Sequence, residues 1–119
     1  MEKSMALFLA TLLHSSTNAH FFHWATKSYA KHKALGGFYE RIIELTDELA
    51  EAYFGCYGQI TDFPATYHQP KEPLAYLQSL QRFVKEARAD LPTDSEIVQL
   101  IDKIAQEIDT TIYLLKFKS

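Results

Sequence analysis

The sequence has few of the residues that interrupt helices or build disulfide frameworks. It contains four glycines, four prolines and one cysteine in 119 residues. So few glycines and prolines argue against a loop-rich or all-β chain with many turns. Cys56 is alone, so no intrachain disulfide can form, and a reducing compartment, the cytoplasm, is the expected location.

Positive charge and long apolar runs are also scarce. Lysine and arginine number 12 against 15 acidic residues, which gives a net charge of −3 and excludes a domain-wide basic footprint for nucleic acid. Only residues 1–3 precede the first predicted helix, so we expect no nucleic-acid binding through a basic tail. The apolar stretch Met5–Leu13 is too short to span a bilayer. Its helical spacing continues beyond Ala19, which favours a first helix over a signal peptide, and no membrane contact is expected.

What remains is an ordinary globular composition with helical periodicity. Apolar residues make up 47% and charged residues 23%, and the length fits one domain over residues 1–119. Apolar positions recurring every three or four residues predict four helices. They cover about residues 4–28 and 31–57, Pro73 to Leu91, and a last helix that begins with a Thr93–Glu96 capping box and ends near Leu115.

The connections between these helices predict the topology. The first and last links are short, so each joins an antiparallel pair. The middle link, residues 58–71, can span up to roughly 46–50 Å when extended, whereas a 20-residue helix is about 30 Å long. We therefore expect an all-α, four-helix bundle with ferritin-like connectivity and a long crossover between helices 2 and 3. A plain up-down-up-down bundle with a floppy loop is the alternative.

Acidic and imidazole side chains are concentrated in the first two helices. Four carboxylates of helix 2 fall within about 60° of one another on the helical wheel: Glu40, Glu44, Asp47 and Glu51. Like charges in a row repel, so solvent, a basic partner or a cation must neutralise them. His20 and His23 lie on the inward stripe of helix 1, and His32 opens helix 2. Carboxylates combined with imidazoles favour iron among the metals.

These residues resemble the Dps group of ferritin-like proteins, which protect DNA during starvation. The resemblance rests on the pair His23–Trp24, on His32, and on Asp47 and Glu51, which follow His32 by fifteen and nineteen residues as in that group. It implies an iron site between two subunits of a homo-oligomer, with dimer contact through helices 1 and 2. His23 and His32 would come from one subunit, and Asp47 and Glu51 from the other. The implied activity is that of a ferroxidase, which binds two Fe(II) ions, oxidises them with peroxide and stores the product in a shell.

One departure from that group and one further resemblance keep an alternative open. Gly36 stands where the group has an acidic ligand, four residues after the second histidine. Residues 20–40 also resemble small proteins of unassigned function encoded by tailed phages. The alternative hypothesis is therefore a metal-free helical interaction protein that binds another protein.

Overall fold

Four α-helices make up the fold, and the computed structural model describes residues 1–65 and 67–117. Within these residues there is no β-strand, which confirms the prediction of an all-α, four-helix bundle. The helices are α1 (Glu2–Ala25), α2 (Tyr29–Tyr57), α3 (Pro73–Ala87) and α4 (Ser95–Leu115).

The end of α3 differs from the prediction. The helix stops at Ala87 and continues as a short 3₁₀ turn over Arg88–Asp90, so it does not reach Leu91 as an α-helix. Leu91 has an extended backbone, with φ −108° and ψ 160°. A residue that precedes proline is sterically disfavoured in the helical region, and Pro92 therefore keeps Leu91 out of the helix.

The start of α4 also corrects a prediction. Asp94, and not Thr93, is the N-cap residue of this helix. The Asp94 carboxylate accepts a hydrogen bond from the hydroxyl of Tyr57, at the end of α2. A contact between two helices thus takes the place of the local Thr93–Glu96 capping box. It also ties the end of α2 to the start of α4, so these two helices run antiparallel.

The crossover between α2 and α3 runs along the whole length of α1. Phe63 borders the same surface depression as Leu7, near the start of α1. Further along, the Tyr67 hydroxyl donates a 2.7 Å hydrogen bond to Oδ1 of Asn18. Pro70 then lies beside the last turn of α1. Helix α3 consequently begins at the same end of the bundle as α2, and the two are parallel, which is ferritin-like connectivity.

The core lies between the four helices, and each helix contributes a stripe of apolar side chains to it. Full burial of one such side chain contributes roughly 1.5–3 kcal/mol to stability. No helix in the described residues is long and apolar enough to cross a membrane. The largest side chains that are almost completely buried are Phe8, Phe38, Met5, Leu12, Leu35, Ile42, Leu49, Leu77, Ile97, Ile101, Ile104 and Ile108.

Candidate metal centre

A tight turn brings the histidines of α1 and α2 together. Ser28 is the N-cap residue of α2, and its hydroxyl accepts a hydrogen bond from the backbone N–H of Lys31. The Thr26 hydroxyl in turn accepts from the backbone N–H of Ser28. These contacts satisfy backbone donors that a helix start leaves without partners. The turn reverses the chain within three residues and places the end of α1 beside the start of α2.

His23 and His32 form a reciprocal pair across this turn. Nδ1 of His23 lies 2.6 Å from the carbonyl oxygen of His32, and Nδ1 of His32 lies 2.8 Å from the carbonyl oxygen of His23. Their rings stack with centroids 3.7 Å apart and planes 17° from parallel. A carbonyl oxygen can only accept, so both Nδ1 atoms carry the proton and donate. In the neutral rings the lone pair is therefore on Nε2.

Gly36 provides the space that the His23 ring occupies. A Cβ atom at this position would lie 2.9 Å from Cε1 and 3.0 Å from Nδ1 of His23. Any residue larger than glycine would push the ring away from its stacked position. The missing acid at Gly36 therefore has a structural reason in this chain: the ring of His23 packs directly on the helix backbone there.

A second layer of rings surrounds the histidine pair. His20 stacks on Tyr39 with centroids 3.9 Å apart and planes 9° from parallel, and it also contacts Trp24 at 4.4 Å. The Tyr39 ring reaches the edge of His23, at 5.4 Å. The side chains of Trp24 and Tyr29 are 66% and 73% exposed. One side of the ring cluster is therefore packed against α2, while the other side is open to the surroundings.

The predicted acidic ligands lie on the outer face of α2, away from the histidines. Asp47 and Glu51 are both exposed, as expected for a face that points away from the core. At 1.5 Å per residue they lie about 22 Å and about 28 Å from His32 along the helix axis. Among the described residues, no group of three or more potential ligands is close enough to hold a metal ion. A single chain thus brings the two histidines together but not the two acids with them.

The one basic residue in the middle of α2 binds a carboxylate of α4. Arg41 forms a two-pronged contact with Glu107 of α4, at 2.8 Å from Nε and 2.9 Å from Nη2. Hydrogen bonding to the Glu107 carboxylate raises the pKa of Arg41. Because Arg41 is engaged with α4, it does not neutralise Asp47 or Glu51, and their charge is available to a cation or a partner.

The contacts around the histidines could not be read from sequence spacing. The counts from His32 to Asp47 and Glu51 identify an acidic face, but they do not reveal that Tyr39 covers His20. They also do not reveal that Gly36 faces His23, since these two residues are thirteen positions apart and meet only when the hairpin closes. A glycine pair in mid-helix is the only signal, because glycine lowers helix stability and calls for a packing reason.

A protein-family model matches most of the chain. The model of the family of unknown function DUF5856 matches residues 23–115. The chain belongs to this family. The DUF5856 match begins at His23 and includes His32, Asp47 and Glu51, whereas most of α1 precedes it. No curated protein and no solved structure matches the chain.

Proposed function

We propose that this chain binds Fe(II) at a site shared between two copies and oxidises it there. One observation carries the proposal: the His23–His32 pair is held in a single tautomer by backbone carbonyls. Histidines that bind metals usually donate their second ring N–H to a carbonyl or carboxylate, which fixes the ring and presents the other nitrogen. Both Nε2 atoms are the free acceptors here, in rings that cannot turn without losing a hydrogen bond.

The positions of the acids support a site between two copies. If two α2 helices pack antiparallel about a two-fold axis, residues at equal distances from the axis lie side by side. The midpoint between His32 and Asp47 along α2 is at about residue 39.5, and that between His32 and Glu51 is at about residue 41.5. A two-fold axis that crosses α2 between these points, near Glu40 and Arg41, therefore puts His32 of one copy level with Asp47 and Glu51 of the other. The exposed side chain of Ile43 lies near this axis and offers an apolar contact for the pairing.

The combination of donors favours iron as the metal. Two imidazole nitrogens and two carboxylates form a donor set that suits Fe(II). Structural zinc sites typically use cysteine thiolates instead. Oxidation of two Fe(II) ions by hydrogen peroxide consumes two protons and yields two Fe(III) ions and two water molecules. The protein's part is to supply neutral imidazoles, anionic oxygens and open positions on the metal.

One observation favours a second function. The open side of the ring cluster exposes Trp24 and Tyr29, and large exposed aromatic side chains are enriched where proteins bind one another. A metal-free interaction protein would use this surface to contact another protein. In that case the histidine pair would serve only to hold α1 against α2.

Native mass spectrometry with and without Fe(II), under anaerobic conditions, tests the proposal. We expect an oligomer with an even number of copies that gains iron on titration. His32→Ala and Glu51→Ala should each abolish the uptake while leaving the helical circular dichroism unchanged. Glu48→Ala is the matched control, because Glu48 is an exposed carboxylate of the same helix that borders a surface depression between α2 and α4. Its iron uptake should equal that of the wild type.

Mixing the two inactive variants tests whether the site is shared. A dimer of one His32→Ala copy and one Glu51→Ala copy keeps one intact site, in which the histidines come from the second copy and the acids from the first. Half of the wild-type iron per dimer should return in the mixed species. If mixing restores nothing while the oligomer persists, the ligands do not come from different copies. If the wild type binds no iron at all, the interaction hypothesis takes precedence.

A further inference from the structure

The charges of this chain are divided unequally between the two ends of the bundle. We call residues 19–36, 67–79 and 112–117 the basic end: they are the end of α1, the starts of α2 and α3, the end of α4 and the connections beside them. The other described residues carry fourteen acidic and six basic side chains. The net charge of −3 is therefore the sum of a positive end and a strongly negative remainder. The basic end holds one carboxylate, that of Glu72, and five lysines: Lys27, Lys31, Lys33, Lys71 and Lys116.

Exposed aromatic rings lie at one level of the basic end. Trp24 of α1 and Phe117, just after α4, are both level with Lys31 of α2, because facing residue numbers in two antiparallel helices have a constant sum. Tyr29 opens α2 two residues further out. The side chains of Trp24, Tyr29 and Phe117 are each more than half exposed. Rings at one level on three helices can touch the same plane together. The contacts that fix the two registers are the hydrogen bond from Ser16 to the carbonyl oxygen of Tyr39 and the pair of Arg41 with Glu107.

The lysines of the basic end are not neutralised by nearby carboxylates. Among the described residues none of the five forms an ion pair, and four of them are exposed. Glu72 is the N-cap residue of α3, and its carboxylate accepts hydrogen bonds from the backbone N–H groups of Leu74 and Ala75. The next carboxylates inward, Glu40 and Asp109, lie about 12–14 Å from the level of the rings along their helices. The Debye length at physiological ionic strength is about 8 Å, so these two carboxylates are largely screened from the end of the bundle.

The kind of cation favours a lipid surface as the partner. All five basic residues of this end are lysines, and the three arginines of the chain, Arg41, Arg82 and Arg88, lie outside it. Protein interfaces are enriched in arginine and depleted of lysine. The planar guanidinium of arginine is also the group that best matches the phosphates of nucleic acids. Lysine places its ammonium among headgroups while its methylene stem covers apolar surface. Tryptophan and tyrosine, the exposed rings at this end, are enriched at membrane–water interfaces.

We propose that the basic end docks this chain on an anionic lipid surface. The rings of Trp24, Tyr29 and Phe117 enter the headgroup layer, and the lysines around them pair with lipid phosphates and carboxylates. The acidic remainder of the bundle is repelled by the same surface, so the chain binds end-on and in one orientation.

This contact is peripheral and needs no helix that crosses the bilayer. It revises the expectation from composition, because the net charge averages over the two ends and only the fold separates them. It does not depend on iron, since neither its lysines nor its three exposed rings are proposed metal ligands.

The fluorescence of Trp24 tests the proposal directly, because it is the only tryptophan of the chain. The full chain is titrated with phosphatidylcholine vesicles that contain or lack phosphatidylserine. We expect a blue shift of the Trp24 emission, and quenching by brominated lipid, with the phosphatidylserine vesicles only. Lys27→Gln and Lys33→Gln should each weaken binding about fivefold, since a lysine near an anionic surface contributes about 1 kcal/mol and 1.4 kcal/mol is a factor of ten. Lys103→Gln, at an exposed lysine outside the basic end, should leave the affinity unchanged.

A second pair of variants tests the rings. Phe117→Ser should weaken binding to phosphatidylserine vesicles at least about threefold, because an inserted ring loses water-exposed apolar area. Phe63→Ser is the matched control, since Phe63 is also exposed but lies beside the start of α1 at the opposite end of the bundle. Its affinity for the vesicles should equal that of the wild type. All of these side chains are exposed, so the variants should fold, and circular dichroism checks this.

A single-stranded oligothymidylate separates a lipid surface from a nucleic acid. If it changes the Trp24 emission while phosphatidylserine vesicles do not, the basic end binds nucleic acid and the proposal is wrong. The proposal is also wrong if neither probe changes the emission, or if Lys33→Gln and Lys103→Gln bind the vesicles alike. Iron uptake is measured separately, so a chain that takes up iron but binds no vesicles contradicts the lipid proposal alone.

Discussion

The two helical hairpins of this bundle are held together by different kinds of contact. At the turn between α1 and α2, half-buried rings stack and donate to backbone carbonyls, as in the reciprocal pair of His23 and His32. In the second hairpin the specific polar contacts are partly exposed side-chain pairs, such as Arg88, in the 3₁₀ turn after α3, with Asp102 of α4. The first hairpin therefore fixes atomic positions near its turn, whereas the second leaves its surface contacts free to exchange with solvent.

The physical reason for this difference is the conformational entropy that is lost when the two partners of a contact are ordered. A backbone carbonyl is already fixed by its helix, so a ring that donates to it loses only its own freedom. Two long exposed side chains must both be ordered, and water competes for their charges. Rigid metal sites need the first kind of contact, since catalytic and binding groups must be held within fractions of an ångström. The second kind suits a surface that responds to its surroundings.

The strongest way to break the first hairpin is to add one methyl group. Gly36→Ala places a Cβ atom 2.9 Å from Cε1 of His23, so the ring must leave its stacked position and its hydrogen bonds. We expect a loss of about 1–3 kcal/mol in the free energy of unfolding, measured by urea denaturation. Gly55→Ala is the matched control in the same helix, because a Cβ there meets nothing within 4 Å. It should stabilise the chain, by up to about 1 kcal/mol. Equal stabilisation by both changes would show that the His23 ring is not held.

The link between the hairpins depends on Asn18. This side chain is only 3% exposed and accepts the hydroxyl of Tyr67 in the crossover. Burial raises the pKa of Tyr76 in α3, and a hydrogen bond to Asn18 partly offsets that rise. Asn18→Ala should cost about 1–2 kcal/mol, since it leaves buried polar groups without partners. Tyr67→Phe removes one of these bonds and should cost less. Thermal unfolding monitored by circular dichroism compares them, and a smaller loss for Asn18→Ala would contradict the anchoring role.

The ion pair of the second hairpin should contribute little. Arg88→Ala and Asp102→Ala should each change the free energy of unfolding by less than about 1 kcal/mol, because both side chains are partly exposed. A double-mutant cycle isolates the pair, and its coupling energy should fall further at high salt. A coupling energy larger than the loss of unfolding free energy caused by Gly36→Ala would reverse the comparison between the hairpins.

The smallest effect is expected at Tyr57, and it is isolated by its loss at alkaline pH. The hydrogen bond to the Asp94 carboxylate raises the pKa of Tyr57 to about 12 in the folded chain, above the ordinary tyrosine value of about 10. The folded state therefore retains this proton between about pH 10 and 12 while the unfolded chain loses it. Its contribution to stability is complete below pH 10 and is lost as the pH rises towards 12. Tyr57→Phe should remove this part of the alkaline slope of stability, while Tyr113→Phe, at an exposed tyrosine, should not.

Much of the fold could be predicted because apolar spacing and prolines are local signals. The apolar positions from Leu35 to Tyr53 predict α2 almost to the residue, and Pro73 marks the first residue of α3. The error at the start of α4 occurs where a distant residue competes with a local one, whereas the early end of α3 has a local cause in Pro92. The Asp94 carboxylate binds Tyr57 of another helix, and no local pattern contains that information.

The candidate site could be predicted only in part, for a different reason. The sequence identifies His23, His32, Asp47 and Glu51, and the hairpin brings the first two together. The distance from His32 to Asp47 is set by the straight helix between them, so folding of one chain cannot shorten it. Whether a second copy supplies the acids depends on the shape of its surface, and residue spacing does not describe that surface.

The closeness of His23 and His32 in the chain has a consequence for the order of folding. They are only nine positions apart in the chain, and closing a loop of about ten residues takes on the order of 10–100 ns. During synthesis at about 5–20 residues per second, α1 and α2 leave the ribosome seconds before α4. Hydrogen exchange on the nascent chain during synthesis should therefore find protection at Leu35 before Ile108. The histidine pair is then among the first tertiary contacts to form, and later helices assemble on a hairpin whose rings are already stacked.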